Sequence, residues 1–386
     1  MRPSYPLLIC FTLALTACYT IDTDPSPDQL EASLQAILEE ARRGSFDQIA
    51  GANMTVIAPN LNLHWTGTTG FDSKEREDSI RAEQPFRIAS ITKTFVAAAM
   101  LRLVEQGRLD LEAPISQLLP PDYLDLLEQG GYEPHKISWR QCLNHTSGIY
   151  DYAMGGNTYV EIAQNNPKKR WTRKEQVQLA MDSGQPTGTP GERYSYGDTG
   201  YVLAGRILEM KQDTNLGMAL RQLLQYEKLG LNSTWLESIE KAPAVDSPLV
   251  HCYFKQLDAS NWDPSMDLYG GGGLVSTTQD LAAFFHALFN GKVFNQKETL
   301  NLMLEPATYA DSYDPTEDPR YKDYRLGLWK VKIFGEDAYM HGGLWSTAIL
   351  HVPSLNCTVA VKYTNGWWER QLKQVILTIK NAQTPN

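Results

Sequence analysis

The sequence predicts an α+β fold in which a mostly helical region is inserted between two halves of one β-sheet. Near the amino end, two apolar segments at 54–57 and 61–65 have strand character and are separated by a Pro-Asn turn. Strand patterns return only far down the chain, at 327–333, 347–352 and 358–363. The sheet must therefore be completed by parts of the chain that are distant in sequence.

Helical periodicity fills most of the rest of the chain. Apolar residues recur at helical spacing in 27–43 and in 88–106, and the second of these helices is expected to end near Gly107. The pattern from about 115 to 245 is mostly helical with Pro and Gly interruptions, and a last helix is expected at about 369–382. We therefore predict one domain at 29–386, with a sheet region at about 29–115 and 245–386 and a helical region at about 116–244.

The composition excludes several classes of function. The 386-residue chain carries a formal net charge of −10, which argues against nucleic acid as a partner. The histidines are scattered, and Cys142, Cys252 and Cys357 are too widely spaced for a zinc site or a disulfide framework, so at least one is expected to be a free thiol. The glycine run at 270–273 lacks the lysine and hydroxyl of a P-loop, and no Gly-x-Ser-x-Gly elbow is present. We expect neither a metal nor a cofactor.

The first residues predict export and lipid anchoring. Residues 1–17 have the features of a signal peptide, and the Leu-Thr-Ala-Cys sequence that ends at Cys18 resembles a bacterial lipobox. The alternative is an ordinary signal peptide that ends near a cysteine by chance. With Cys18 acylated, residues 18–28 would form a tether to the membrane. Tyr19 in place of Asp favours the outer membrane over the inner, with the domain facing the periplasm.

The strongest candidate for chemistry is a Ser-x-x-Lys motif formed by Ser90 and Lys93 at the start of an apolar helix. Residues three apart share a helix face, and burial disfavours a charged lysine, so Lys93 is a candidate base for Ser90. The structural alternative is that Ser90 caps the helix while Lys93 extends to solvent. A second copy of the motif, Ser238 and Lys241, lies among polar residues and reads as a surface turn.

Two further stretches carry candidate residues. The sequence PGERYSYGDTGYVLAG at 190–205 places Tyr196 and Asp198 just before a helix, although an aromatic loop capped by Asp198 explains the same pattern. The sequence YMHGGLWSTAIL at 339–350 places His341 and two glycines at the head of the strand expected at 347–352. Glycines there would allow a close backbone approach, but a lone histidine is more often structural.

Taken together and in this order, the three stretches resemble the motifs of the serine β-lactamase and penicillin-binding-protein superfamily, on its class C β-lactamase branch. That branch also includes D-Ala-D-Ala carboxypeptidases, D-amino-acid peptidases and family VIII esterases. Further matching stretches lie at 91–115, 137–149 and 270–285, and the resemblance covers roughly 30–380. It implies a β-lactamase/transpeptidase-like fold, with an antiparallel sheet flanked by helices.

The resemblance also implies roles for individual residues. Ser90 would be the acylated nucleophile, Lys93 would take its proton, and Tyr196 would relay protons to the leaving group and activate water. The backbone N–H groups of Ser90 and Leu344 would form the oxyanion hole, next to Gly343.

Three positions depart from the family pattern. Asp198 stands where Asn is usual, and an ionised Asp can only accept hydrogen bonds. It can instead pair with Lys93 and hold it charged. His341 and Gly342 replace the lysine and threonine of the Lys-Thr-Gly element, which help to bind a substrate carboxylate, so efficient β-lactam hydrolysis is not expected.

Three functions remain open from the sequence. The first is a serine hydrolase that cleaves a small ester or amide, or a peptide, through a Ser90 acyl-enzyme. The second is a D-Ala-D-Ala carboxypeptidase or β-lactamase. The third is an envelope lipoprotein that keeps the fold and binds a partner without turnover.

Overall fold

The structure is a computed structural model, which describes residues 26–43, 49–75, 78–243, 247–308 and 323–384. The predicted signal peptide, Cys18 and most of the predicted tether lie outside these residues. The first helix begins at Pro27, so the last two residues assigned to the tether are helical. No helix in the described part of the chain has the length and apolar character needed to cross a bilayer.

The structure contains the strands and helices that the sequence predicts, together with further strands that it does not predict. The strands are β1 (Gly51–Ala58), β2 (Leu63–Gly70), β3 (Phe86–Arg87), β4 (Trp235–Leu236), β5 (Tyr253–Phe254), β6 (Leu257–Asp258), β7 (Leu274–Ser276), β8 (Trp329–Ile333), β9 (Glu336–Gly343), β10 (Thr347–Val352) and β11 (Cys357–Tyr363). The α-helices are α1 (Pro27–Arg43), α2 (Thr92–Glu105), α3 (Pro121–Gln129), α4 (Trp139–Leu143), α5 (Thr158–Asn165), α6 (Arg173–Ser183), α7 (Thr199–Gln212), α8 (Leu216–Leu223), α9 (Tyr226–Leu229), α10 (Thr278–Phe289), α11 (Lys297–Met303) and α12 (Glu369–Gln383).

The main sheet has six antiparallel strands in the order β2-β1-β11-β10-β9-β8. Its centre joins the two ends of the domain, because Val56 of β1 pairs with Val359 of β11. Helices α1 and α12 cover one face of the sheet and α10 covers the other, so the central strands are buried on both sides. The α+β prediction, with one sheet built from both ends of the chain, is confirmed.

The sequence reading missed strand β9. The prediction placed His341 at the head of the strand at 347–352, but His341 lies near the end of β9 and pairs with Ile349 of β10. The miss has a local reason, since Glu336–Gly343 carries two acidic residues and two glycines and shows no clean apolar alternation. His341, Gly342 and Gly343 are therefore strand residues, held in register by hydrogen bonds to β10.

A second, three-stranded sheet places the glycine run beside the start of α2. Its strand order is β3-β7-β4, and β7 follows the glycine run at 270–273 directly. The Ile88 N–H donates to the Leu274 carbonyl over 3.0 Å, and the Leu274 N–H donates to Thr92 Oγ1 over 3.2 Å. The segment that carries Ser90 is thereby attached to the segment that carries the glycines.

Candidate active site

Ser90 lies in a short 3₁₀ turn, Ala89–Ile91, immediately before α2. Ala89 has φ of 46°, in the left-handed region that costs a non-glycine residue about 1–2 kcal/mol. The turn is maintained by the hydrogen bonds to β7 and by the burial of Ile88 and Ile91. No side-chain capping bond from Ser90 is present at α2, so the capping alternative is excluded and the hydroxyl is available for other contacts.

Lys93 points from the first turn of α2 into the protein and is fully buried. Its Nζ donates to Ser90 Oγ over 3.1 Å, to Asp198 Oδ1 over 2.5 Å and to the carbonyl of Gly271 over 2.8 Å. These three acceptors use all three protons of an ammonium group. The alternative in which Lys93 extends to solvent is therefore excluded. By contrast, Ser238 and Lys241 of the second motif are exposed.

The protonation state of Lys93 is set by its neighbours. Burial by itself lowers the pKa of Lys93, but the Asp198 carboxylate, and after it Tyr196, hold this pKa above the ordinary lysine value. Lys93 is thus a charged donor in the resting site, as expected if Asp198 pairs with it. A lysine in this state must first lose a proton before it can accept one from Ser90.

Tyr196 completes the group around the serine. Its hydroxyl interacts with Ser90 and Lys93, and Lys93 Nζ lies 4.9 Å from the centre of its ring. The ring is stacked on Trp329 of β8, with centroids 5.5 Å apart. Burial raises the pKa of Tyr196, so the phenol is protonated at neutral pH and can donate a proton.

The backbone of Asp198 is held in place by a second acidic residue, Asp151. The Asp151 carboxylate accepts from the backbone N–H of Asp198 over 2.6 Å and from that of Thr199 over 3.2 Å, at the start of α7. This leaves the Asp198 side chain free to turn toward Lys93 instead of capping its own helix. Burial, and then the Asp198 charge, raise the pKa of Asp151 to about 6. Asp151 was not predicted from the sequence. Its only signal there is that an acidic residue follows the 137–149 stretch closely.

His341 faces the same group from β9 and is buried. Its Nδ1 donates to the Gly342 carbonyl over 2.7 Å, so its Nε2 accepts from the Tyr324 hydroxyl over 3.1 Å. Burial, and then the Lys93 charge, lower the pKa of His341 to about 3. This neutral imidazole offers no positive charge to a substrate carboxylate.

The end of β9 lies directly against the serine turn. A Cβ at Gly343 would come within 2.3 Å of the Ile88 carbonyl oxygen and 2.2 Å of Thr347 Oγ1, so only glycine fits. The following residue, Leu344, has a half-exposed side chain, and Lys362 holds the turn by donating from Nζ to the Trp345 carbonyl over 2.7 Å. The Leu344 N–H and the Ser90 N–H are therefore carried on two segments in contact, as an oxyanion hole requires.

Aromatic rings that the sequence reading did not assign surround the site. The buried ring of His145 lies 4.4 Å from the ring of Tyr196 and 4.5 Å from that of Tyr324, measured between centroids. Burial lowers the pKa of His145 well below the usual range, and the His145 Nδ1 accepts from the backbone N–H of Gly197 over 3.3 Å. The two ring contacts join residues that are 51 and 179 positions apart in the sequence, which periodicity cannot relate.

The site residues do not form a metal centre. Within the residues that the structure describes, the one set of three groups with metal-ligand spacing is Glu75, His251 and Asp258, whose ligand atoms lie within 4.8 Å of one another. None of the three belongs to the Ser90 group, and His251 is already bonded to Asp258 over 2.8 Å. All three cysteines of the described chain, Cys142, Cys252 and Cys357, are buried free thiols.

Comparison with known proteins gives consistent matches. The family model described as Beta-lactamase matches residues 36–373. A D-stereospecific amidohydrolase from a Streptomyces species superimposes with a TM-score of 0.73 at 28% identity, covering 90% of this chain and 97% of the other. D-amino acid amidase from Ochrobactrum anthropi SV3 superimposes with a TM-score of 0.76 at 23% identity, covering 92% and 99%, which shows the fold alone.

Among sequence relatives, Esterase EstB from Burkholderia gladioli is 33% identical over 127 residues, which is 33% of this chain and 31% of that protein. The chain spans about half the length, or less, of the curated relatives that it matches first.

Proposed function

Since this chain belongs to the beta-lactamase family, we propose that it is a serine hydrolase that cleaves small amides or esters through an acyl-enzyme on Ser90. The observation that carries the proposal is the buried Lys93, bonded at once to Ser90 Oγ and to Asp198. The relatives include an esterase and a D-stereospecific amidohydrolase, which favour ester and amide bonds as the target.

The proposed acylation uses the groups already in contact. Lys93 passes one proton to Asp198 along their short hydrogen bond, and the resulting amine accepts the proton of Ser90 while Oγ attacks the substrate carbonyl carbon. The N–H groups of Ser90 and Leu344 stabilise the oxyanion. Tyr196 protonates the leaving group and regains its proton from Lys93, which then recovers its own from Asp198. Water, deprotonated through the same groups, releases the acid.

Labelling with a fluorophosphonate, followed by intact-protein mass spectrometry, tests the activated serine. The protein lacking residues 1–18 should gain a single adduct, which Ser90→Ala removes. Ser238→Ala is the matched control, because it removes the serine of the exposed Ser-x-x-Lys copy and should leave labelling unchanged. Folded protein that gains no adduct would refute the proposal and favour a binding protein without turnover.

A β-lactamase or D-Ala-D-Ala carboxypeptidase is disfavoured by the charge at the site. The neutral His341 and the missing hydroxyl at Gly342 leave this end of β9 without the lysine and threonine that help to hold a substrate carboxylate in the family. We propose that penicillin neither acylates Ser90 nor is hydrolysed at saturating concentration. A stable penicillin adduct at Ser90, or turnover, would contradict this.

We also propose that the protein acts at the bacterial envelope as a lipoprotein anchored through Cys18, facing the periplasm from the outer membrane. The support is the lipobox-like sequence before Cys18. Cys18→Ser should move the full-length protein from the membrane fraction to the soluble periplasmic fraction. A protein that fractionates identically with and without this substitution would exclude the anchor.

A further inference from the structure

His145 is a buried residue with a strained backbone beside the candidate site. Its φ is 61°, in the left-handed region that non-glycine residues seldom adopt, and the residue is only 4% exposed. Backbone strain of this kind persists where the surrounding contacts hold it in place, and it is frequent at functional sites. The contacts of His145 therefore indicate what the strained conformation supports.

His145 binds the backbone on both sides of Tyr196. Its carbonyl oxygen accepts from the N–H of Ser195 over 2.8 Å, and its Nδ1 accepts from the N–H of Gly197 over 3.3 Å. These two donors are the chain neighbours of Tyr196, so one residue fixes the backbone before and after it. The carboxylate of Asp151 accepts the next two N–H groups of the same loop. The loop that carries the phenol is thus attached to 145–151 along its length.

The imidazole of His145 also packs against the phenol ring. The two ring centroids are 4.4 Å apart, and the Tyr196 ring is also stacked on Trp329, with centroids 5.5 Å apart. The hydroxyl of Tyr196 interacts with Ser90 and Lys93. Contacts to the ring and to the adjacent backbone therefore act together on the position of this hydroxyl.

The bond to Gly197 requires a neutral imidazole that carries its proton on Nε2. A backbone N–H needs a lone pair on Nδ1, which the imidazolium lacks. Burial, and then the Lys93 charge, lower the pKa of His145 well below the usual range, which agrees with a neutral ring. Among the described residues Nε2 has no hydrogen-bond partner. The acceptor at Nδ1 therefore distinguishes this histidine from an ordinary aromatic core residue.

We propose that His145 is a positioning residue for the reaction: by bonding the backbone on both sides of Tyr196, it holds the Tyr196 hydroxyl at Ser90 and Lys93. This inference rests on the proposed function, in which Tyr196 transfers protons. Proton transfer needs the phenol oxygen within hydrogen-bond distance of its partners, and a displacement of about 1 Å can cost 100-fold in rate. The Nδ1 acceptor, rather than the ring alone, prevents that displacement.

The rate at which a fluorophosphonate labels Ser90, followed by intact-protein mass spectrometry, tests this role in three variants. His145→Asn places an amide oxygen near the position of Nδ1 and tolerates a positive φ, so its rate should stay within about fivefold of the wild type. His145→Gln carries the same amide one bond further out, and His145→Phe keeps a ring without an acceptor. Both should slow labelling roughly 10- to 100-fold.

A double substitution separates positioning from general support of the fold. If His145 acts through the Tyr196 hydroxyl, adding His145→Phe to Tyr196→Phe should slow labelling further by less than about threefold. His351→Phe is the matched control, because it replaces another buried histidine, near the end of β10 that lies away from the serine turn. It should leave labelling unchanged. Thermal melting establishes that each variant is folded, and if His145→Phe does not fold, His145→Gln takes its place in both comparisons.

Several results would overturn the inference. Equal rates in His145→Asn and His145→Gln, whether fast or slow, would show that the acceptor at Nδ1 does not position the loop. Effects of the His145 and Tyr196 substitutions that multiply would assign His145 to the fold alone. Tyr196→Phe that is labelled as fast as the wild type would leave His145 nothing to position. In all these cases a labelled wild type leaves the activated Ser90 intact, whereas a wild type without Ser90 labelling would refute the proposed function and this inference with it.

Discussion

Replacing Asp198 with Asn tests whether the ion pair keeps Lys93 charged. The Lys93 side chain is fully buried, with Nζ 2.5 Å from Asp198 Oδ1, and a neutral amide cannot balance its charge. In Asp198→Asn the burial cost is no longer opposed by a carboxylate, so the pKa of Lys93 falls below its ordinary value. In the wild type this pKa is raised, so the stabilisation is fully present below pH 10.5 and is lost only as the pH rises through the folded-state pKa.

The expected loss of stability depends on pH, because Lys93 can avoid the unbalanced charge by releasing its proton. For a lysine of ordinary pKa 10.5, this release costs about 4.8 kcal/mol at pH 7 and about 2 kcal/mol at pH 9. The first figure agrees with the ~3–5 kcal/mol typical of breaking a buried ion pair. We therefore expect Asp198→Asn to lose ~3–5 kcal/mol at pH 7 and no more than about 2 kcal/mol at pH 9.

Urea unfolding followed by tryptophan fluorescence at pH 7, 8 and 9 measures this difference. Glu237→Gln is the matched control, because it breaks the partly buried pair with Arg87, whose guanidinium does not deprotonate. Its loss of unfolding free energy should be the same at all three values of pH. If the loss of unfolding free energy in Asp198→Asn does not become smaller toward pH 9, or is below about 1 kcal/mol at pH 7, then Asp198 does not keep Lys93 charged.

Three further substitutions test the rest of the site and the sheet. Gly343→Ala should lower kcat/KM at least 100-fold and the unfolding free energy by ~1–3 kcal/mol, because its Cβ meets the Ile88 backbone. Gly342→Ala, whose Cβ would be 3.1 Å from the Trp368 ring, is the control and should be tolerated. Comparable effects of the two substitutions would contradict the close approach of Gly343 to Ile88. Tyr196→Phe keeps the ring stacked on Trp329 and removes the hydroxyl, so kcat should fall ~10²- to 10⁴-fold with little change in Tm. Steady-state kinetics and melting curves measure the two effects, and an unchanged kcat would show that Tyr196 does not transfer a proton. His351 is buried with its pKa lowered to about 3, so from pH 6.5 downward the unfolded chain binds a proton that the folded chain does not. As the pH falls from 7.5 to 5, the unfolding free energy of His351→Gln should therefore rise by about 2 kcal/mol relative to that of the wild type. A pH-independent difference between the two would argue against a neutral His351.

Local patterns in the sequence were sufficient for the α+β class and for the pairing of distant segments into one sheet. Helices α1 and α12 carry apolar residues at helical spacing, because each buries one face. The first strand, the last two strands and helix α2 are buried along most or all of their length, so their apolar content, rather than a period, marks them. Strand β9 was missed because its register with β10, rather than its own composition, makes it a strand. The same omission misplaced His341 relative to its strand.

By itself, the sequence determined which chemical groups are present and in what order, from Ser90 and Lys93 through Tyr196 and Asp198 to His341. Only the tertiary structure decided their states: Lys93 is charged, His341 is neutral, and Asp151 and Asp267 have raised pKa values. The physical reason is that the free energy of a charge depends on its burial and on its partners. Those partners come from other segments of the chain, 105 residues away for Lys93 and Asp198 and 47 for Asp151 and Asp198, so no local pattern records them.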